Sequence, residues 1–167
     1  DAVGAVTLVD GEINGSTGVL TGTSYAVQDG IISAILAGSG ALTKTTTGTV
    51  ILSGVNTRTG ATTITAGILS VSTIGNGGVA GNLGAATSTA ANLTLNGGTL
   101  RYTGTTATTD RNFVLSAATT STINVTTNTL TLTGASTSTS GALIKDGNGT
   151  LVLSGNNLHT GATTVSA

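Results

Sequence analysis

Apolar and polar side chains alternate in short runs along this chain, and most of the runs stop at a glycine. The clearest unit reads Thr, then Leu or Val, any residue, a large apolar residue, Ser or Thr, and Gly. It occurs at 49–54 (TVILSG), 99–104 (TLRYTG), 129–134 (TLTLTG) and 150–155 (TLVLSG). Apolar positions two apart fall on one face of a β-strand, and the closing glycine supplies the backbone freedom a turn needs. The same alternation marks 5–9, 31–36, 62–64, 93–95, 113–115 and 123–125. No useful length carries the 3, 4, 7 spacing of an amphipathic helix, and Thr, Val, Ile and Gly all disfavour one. The pattern predicts an all-β chain with a new strand about every 8–12 residues, a spacing shared by β-sandwiches and coiled β-solenoids.

An internal repeat favours the solenoid. Residues 40–66 and 141–167 align without a gap at an offset of 101, with 16 identities in 27 positions. A stack of rungs produces such near-copies, whereas a sandwich has no need of them. The 21 residues from Thr129 to Thr150 fit one three-strand rung. Asn-Gly pairs at 14–15, 76–77, 96–97 and 148–149 suit narrow corners where like residues ladder. Parallel crossovers wind right-handed. The expected fold is therefore a single right-handed parallel β-helix over 1–167, with about seven or eight rungs and roughly 35 Å of length at ~4.8 Å per rung.

Composition gives this picture a physical basis. Thr, Gly, Ala, Ser and Asn fill 111 of the 167 positions, and proline is absent, so every backbone N–H is available to a ladder. Positive mean hydropathy and 40 Leu, Ile and Val residues separate the chain from disordered sequences. A net charge of −1 with five dispersed basic residues excludes a phosphate-neutralising surface, so nucleic acid is not expected as a partner. No apolar run approaches 18 residues, so no membrane insertion by this segment is expected. The lack of cysteine is compatible with export. With Asp at position 1 and no leader-like start, the chain reads as a processed piece or a section of something longer.

The two copies, GALTKTTTGTVILSGVNTRTGATTITA and GALIKDGNGTLVLSGNNLHTGATTVSA, resemble the autotransporter-associated β-strand repeat, the passenger-associated module of bacterial surface proteins. The matching repeat positions are Lys44, Gly48, Leu52, Gly54, Asn56 and Gly60 in the first copy. In the second they are Lys145, Gly149, Leu153, Gly155, Asn157 and Gly161. Residues 92–104 resemble segments lying between such repeats. The resemblance implies a right-handed parallel β-helix in a secreted or cell-surface adhesin-like stalk, and it implies no catalytic residues. It departs from the family at the aromatic position, which is Arg58 in one copy and His159 in the other.

Candidate chemistry is sparse. His159 is the only histidine and its repeat partner is an arginine, which points to a solvated loop side chain rather than a general base. With no cysteine or second histidine it cannot complete a metal site or a triad. Ser154 lacks a nucleophile-elbow context. Asp10 and Glu12 are two apart, so on a strand they could act as a glycosidase pair or hold a hard cation. Flanking Gly11, however, they read better as a solvated turn. Asp146, in Asp-Gly-Asn-Gly, faintly echoes a calcium loop but lacks the further oxygen ligands. The sequons at Asn14, Asn92, Asn124 and Asn148 are those that an Asn/Thr-rich composition supplies by chance. Thr57/Thr59, Thr63/Thr65 and residues 127–133 raise an ice-binding hydroxyl array as a remote alternative, but such an array needs Thr-x-Thr in successive rungs.

The expectation is a non-enzymatic structural module of an extracellular or bacterial cell-surface adhesin, stalk or filament, without a cofactor. It stacks head-to-tail on itself or on adjacent repeats of the same chain. A carbohydrate-binding or polysaccharide-degrading β-helix, with host or matrix glycans as partners, is the alternative.

Overall fold

A computed structural model describes residues 2–167, and the path it gives is a β-solenoid of about eight turns in which every strand pairing is parallel. Three walls form. The first contains β1 (Ala5–Leu8), β4 (Ser24–Val27), β7 (Ala41–Lys44), β9 (Thr62–Ile64), β11 (Leu93–Leu95) and β14 (Val114–Leu115). The second stacks β2 (Glu12–Ile13), β5 (Gly30–Ile32), β8 (Thr49–Leu52), β10 (Ile68–Val71), β12 (Thr99–Tyr102), β15 (Thr120–Val125), β17 (Ala142–Asp146) and β19 (Thr163–Val165). The third is interrupted. It pairs β3 (Val19–Thr21) with β6 (Ile35–Ala37), and further along it runs through β13 (Ala107–Thr109), β16 (Thr129–Leu132) and β18 (Thr150–Leu153). A single 3-10 turn at Ala90–Asn92 is the only helical element among the described residues.

The alternation read from the sequence becomes columns of side chains inside the coil. Ile32, Leu52, Val71, Tyr102 and Val125 stand in register on the second wall, each within 2% of full burial. On the first wall, Leu8, Val27, Lys44, Ile64, Leu95 and Leu115 form one inward column. Each large aliphatic side chain contributes about 1.5–3 kcal/mol of burial, and the ladders pair the backbone groups that would otherwise be buried bare. The 31–36 run divides into β5 and β6 at Ser33–Ala34, because Ile32 and Leu36 enter the same interior from different walls.

Turn length is irregular, and this changes the meaning of the repeat. Seventeen residues separate Ser24 from its partner Ala41, whereas 31 separate Thr62 from Leu93. The long turn contains an excursion over residues 72–89. As a result, the two copies do not lie above one another. In the first copy, β7, β8 and β9 occupy walls one, two and one; in the second, β17, β18 and β19 occupy walls two, three and two. A strand-glycine-strand unit with one inward face packs on any wall, so the unit recurs without a fixed phase.

Glycine fixes how closely turns stack at the corners. A Cβ on Gly60 would sit 2.3 Å from the Gly40 carbonyl oxygen, and one on Gly161 would sit 2.3 Å from that of Gly141. The repeat preserves this backbone-on-backbone contact. Gly60→Val is expected to destabilise the fold by about 1–3 kcal/mol, read as a lower denaturant midpoint, while the same change at open Gly18 should be nearly neutral.

Candidate functional site

Among the described residues, carboxylates do not converge. Asp10 and Glu12 are both exposed. Asp10 accepts the Gly11 N–H at 2.6 Å, with Gly11 at φ +90°, and Glu12 accepts from Asn14 Nδ2 at 2.9 Å. Asp146 lies in the same outward column as Glu12 but six strands further along the second wall, roughly 29 Å at the ladder spacing. Its carboxyl is held below the usual range first by the Asn124 side-chain hydrogen bond at 2.5 Å, then by the Gly147 N–H, with Lys145 and Arg101 adding attraction. Among the described residues, no three His, Cys, Asp or Glu side chains come together in a way that could hold a metal.

What the fold does assemble is a set of cations inside the coil, each capping backbone carbonyls. Lys44 stands fully buried between Val27 and Ile64 in its column, and Nζ donates to the Thr46 carbonyl. Its repeat partner Lys145 donates to the carbonyls of Gly147 and Ala167. Burial pushes the Lys44 ammonium below the ordinary lysine range, and the Asp29 charge partly offsets this.

The expectation that His159 is a solvated loop side chain rested on its repeat partner, and that partner, Arg58, is fully buried. Nη1 donates to the Gly60 carbonyl at 2.8 Å and to Ala61 at 3.3 Å, while Nη2 reaches Thr62 Oγ1 and the Leu83 carbonyl. Burial above all brings the guanidinium down to about 10, with Tyr25 opposing and Arg111 adding to the shift, so it stays charged at neutral pH. His159 is half-buried, its Nδ1 2.9 Å from Ser136 Oγ and its Nε2 3.0 Å from Thr163 Oγ1. Both residues stand at the repeat position where the sequence resemblance implies an aromatic residue. Tyr25 performs a similar task two turns earlier, its hydroxyl accepting from Gly22 N at 2.6 Å and lying 2.7 Å from the Leu20 and Ala37 carbonyls.

Arg111 was not legible as special from its sequence surroundings. Nε donates to the Gly75 carbonyl at 2.9 Å, Nη1 to Ala86 at 3.2 Å and Nη2 to Gly84 at 2.7 Å, so one guanidinium holds the 72–89 excursion against the coil. Burial again lowers it, against the pull of Asp110. Asn82 completes the attachment by accepting from the Ser72 and Thr73 amides and donating to the Gly54 carbonyl.

The repeat positions act as structural pins. Asn56 accepts the Leu36 N–H at 2.8 Å and donates to the Asn82 carbonyl at 2.7 Å, joining the turns on either side. Asn157 donates to Gly155, and its Oδ1 has no partner. Gly54 and Gly155 rest against the Ala34 and Gly134 carbonyls, and Gly48 and Gly149 pack as closely on the turn before. Leu52 is fully buried and Leu153 half-buried. Tyr25, Tyr102 and Phe113 are all buried, so no ring faces outward to stack on a sugar. Thr43, Thr63 and Thr94 form one column on the first wall, one threonine per turn, flanked by Ala26 and Val114.

Two outcomes test the buried cations. Arg58→Ala leaves a cavity and stranded carbonyls and should cost about 2–5 kcal/mol in denaturant unfolding; Arg58→Tyr, which keeps a long side chain with a polar tip, should cost less. Because Lys44 has a lowered folded pKa, the unfolded chain binds more protons from that value up to the usual ~10.4. Stability conferred by the wild-type residue therefore rises with pH in this window. The stability of wild type relative to Lys44→Met should increase between neutral and alkaline pH in paired thermal melts.

Comparison with known proteins agrees with the repeat geometry. Residues 42–71 and 143–167 match the family model of the passenger-associated-transport-repeat. Over 118 residues, 70% of its own length, the chain is 47% identical to the adhesin BmaC autotransporter of Brucella suis biovar 1 (strain 1330). The matched region is 3% of that relative's length. No solved structure matches significantly.

Proposed function

We propose that this chain, with its two passenger-associated transport repeats, is a non-enzymatic section of the rod of a bacterial surface adhesin, placed outside the cell and extended by head-to-tail stacking of turns. The observation that carries this reading is the state of the final turn. Leu151 and Leu153 are only half-buried there, and Val165 is 71% exposed, although their counterparts earlier in the coil are sealed by a following turn. An opening of about 310 Å³ between β17, β18 and β19 is lined by Leu143, Leu151, Leu153 and Val165, the inner face of the coil. A second copy of the chain seated on this face covers these groups and continues both walls.

The relative's description as an adhesin, the sparsely charged walls and the dispersed carboxylates among the described residues support a scaffold rather than an enzyme. With all three aromatic rings inside the coil, glycan stacking has no surface here, so adhesive contacts fall to other parts of the rod. In analytical ultracentrifugation the isolated chain should self-associate with rising concentration, and the Leu153→Asp/Val165→Asp variant should weaken that association at least about tenfold, since charge at two apolar contacts opposes burial. A strictly monomeric chain, or association that the two substitutions leave unchanged, would overturn the stacking.

A further inference from the structure

Asn-Gly is a chemically labile pair. The glycine nitrogen attacks the asparagine Cγ, ammonia leaves, and water opens the resulting succinimide to aspartate or isoaspartate; glycine offers no Cβ to obstruct the attack. The chain carries four such pairs, and in each the glycine N–H that must be lost is hydrogen-bonded by a neighbouring turn. The acceptors differ in a way that separates one pair from the rest.

At 76–77 the Gly77 N–H is held by the Asp110 carboxylate at 2.7 Å, whose charge opposes loss of the proton. At 148–149 the Gly149 N–H is fixed in the ladder to the Val125 carbonyl at 2.8 Å, an acceptor with no proton to pass on. At 96–97 the Gly97 N–H meets Ser121 Oγ at 2.9 Å, but Ser121 is fully buried and makes no hydrogen bond to the Asn96 amide. At 14–15 one hydroxyl touches both reacting ends. Ser33 Oγ accepts the Gly15 N–H at 3.2 Å and donates to Asn14 Oδ1 at 3.3 Å. Glu12 accepts from Asn14 Nδ2 at 2.9 Å, which turns the amide so that Oδ1 faces Ser33, and Asn14 is exposed to water.

We propose that Asn14–Gly15 is a self-modification site at which Ser33 relays the proton, while the other three pairs are locked by the fold. As the Gly15 N to Asn14 Cγ bond forms, the N–H proton passes to Ser33 Oγ and the Ser33 proton passes to Oδ1, giving a neutral tetrahedral carbinolamine. The proton returns through Ser33 to the departing nitrogen, the Cγ–Nδ2 bond breaks, and ammonia leaves. Water then adds across one of the two imide C–N bonds. One water is consumed, one ammonia is released, and position 14 gains a negative charge beside Asp10 and Glu12. The isoaspartate product also inserts a methylene into the main chain between β2 and β3.

The test is incubation of the full chain at mildly alkaline pH, followed by peptide mapping by mass spectrometry. Trypsin separates Asn14 and Asn148 onto different fragments, and fragment spectra resolve Asn76 from Asn96, which share residues 59–101. Deamidation at position 14 is expected about tenfold or more ahead of the other three in the folded chain, with the four rates converging in denaturant. Ser33→Ala should slow position 14 about five- to tenfold, the effect of one hydrogen bond on a barrier, and Ser33→Thr, which keeps the hydroxyl, should retain the rate. Circular dichroism reports whether each variant is folded. Comparable rates at any locked pair in the folded chain, a rate at position 14 that is unchanged or faster in Ser33→Ala, or loss of the preference in a folded Ser33→Thr variant would each overturn the relay.

Discussion

Successive turns of this molecule are joined by parallel backbone hydrogen bonds, and each turn supplies half of the bonds its neighbour needs. Everything else follows from keeping that ladder continuous while the chain changes direction at every corner. Strands are short, mostly two to four residues, because three walls must be visited in about twenty. Small residues dominate because turns approach until one backbone lies against the next, as Gly60 does on Gly40. Proline is absent because each missing N–H would open a rung.

Corners are where the ladder fails, and carbonyls there would be buried without partners. The chain answers with long side chains that run through the apolar interior and end in a donor. Tyr25, Lys44, Arg58 and Arg111 all follow this logic, and none of them is paired with a carboxylate in the interior. Several carbonyl dipoles together take the place of a counterion, which reduces the large penalty an isolated buried charge would carry. A chain with so few charges thus uses most of its cations for architecture, leaving the carboxylates among the described residues scattered along the coil.

Much of the fold was legible as sequence. The units at 49–54, 99–104, 129–134 and 150–155 became β8, β12, β16 and β18, and 62–64 and 93–95 became β9 and β11. A period of two with a closing glycine leaves few choices. The repeat lysines and asparagines were found as positions, but their tasks were not, because spacing along the chain does not say which carbonyl lies on the next turn. The burial at the Arg58/His159 position was hidden for the same reason, since nothing near Arg58 along the chain shows that the Leu83 carbonyl comes within reach of its guanidinium.

The sequence by itself determined that the chain is a stack of short parallel strands, since alternation, glycine punctuation and a near-copy at a distance of 101 residues admit little else. Tertiary structure alone decided the phase. Turns of unequal length set the second copy one wall round from the first, so Lys44 and Lys145 point inward from different walls. Alternation is a property of local backbone geometry and survives any register. Phase is the sum of all intervening corners, and each corner's length is fixed only by what it must pack against.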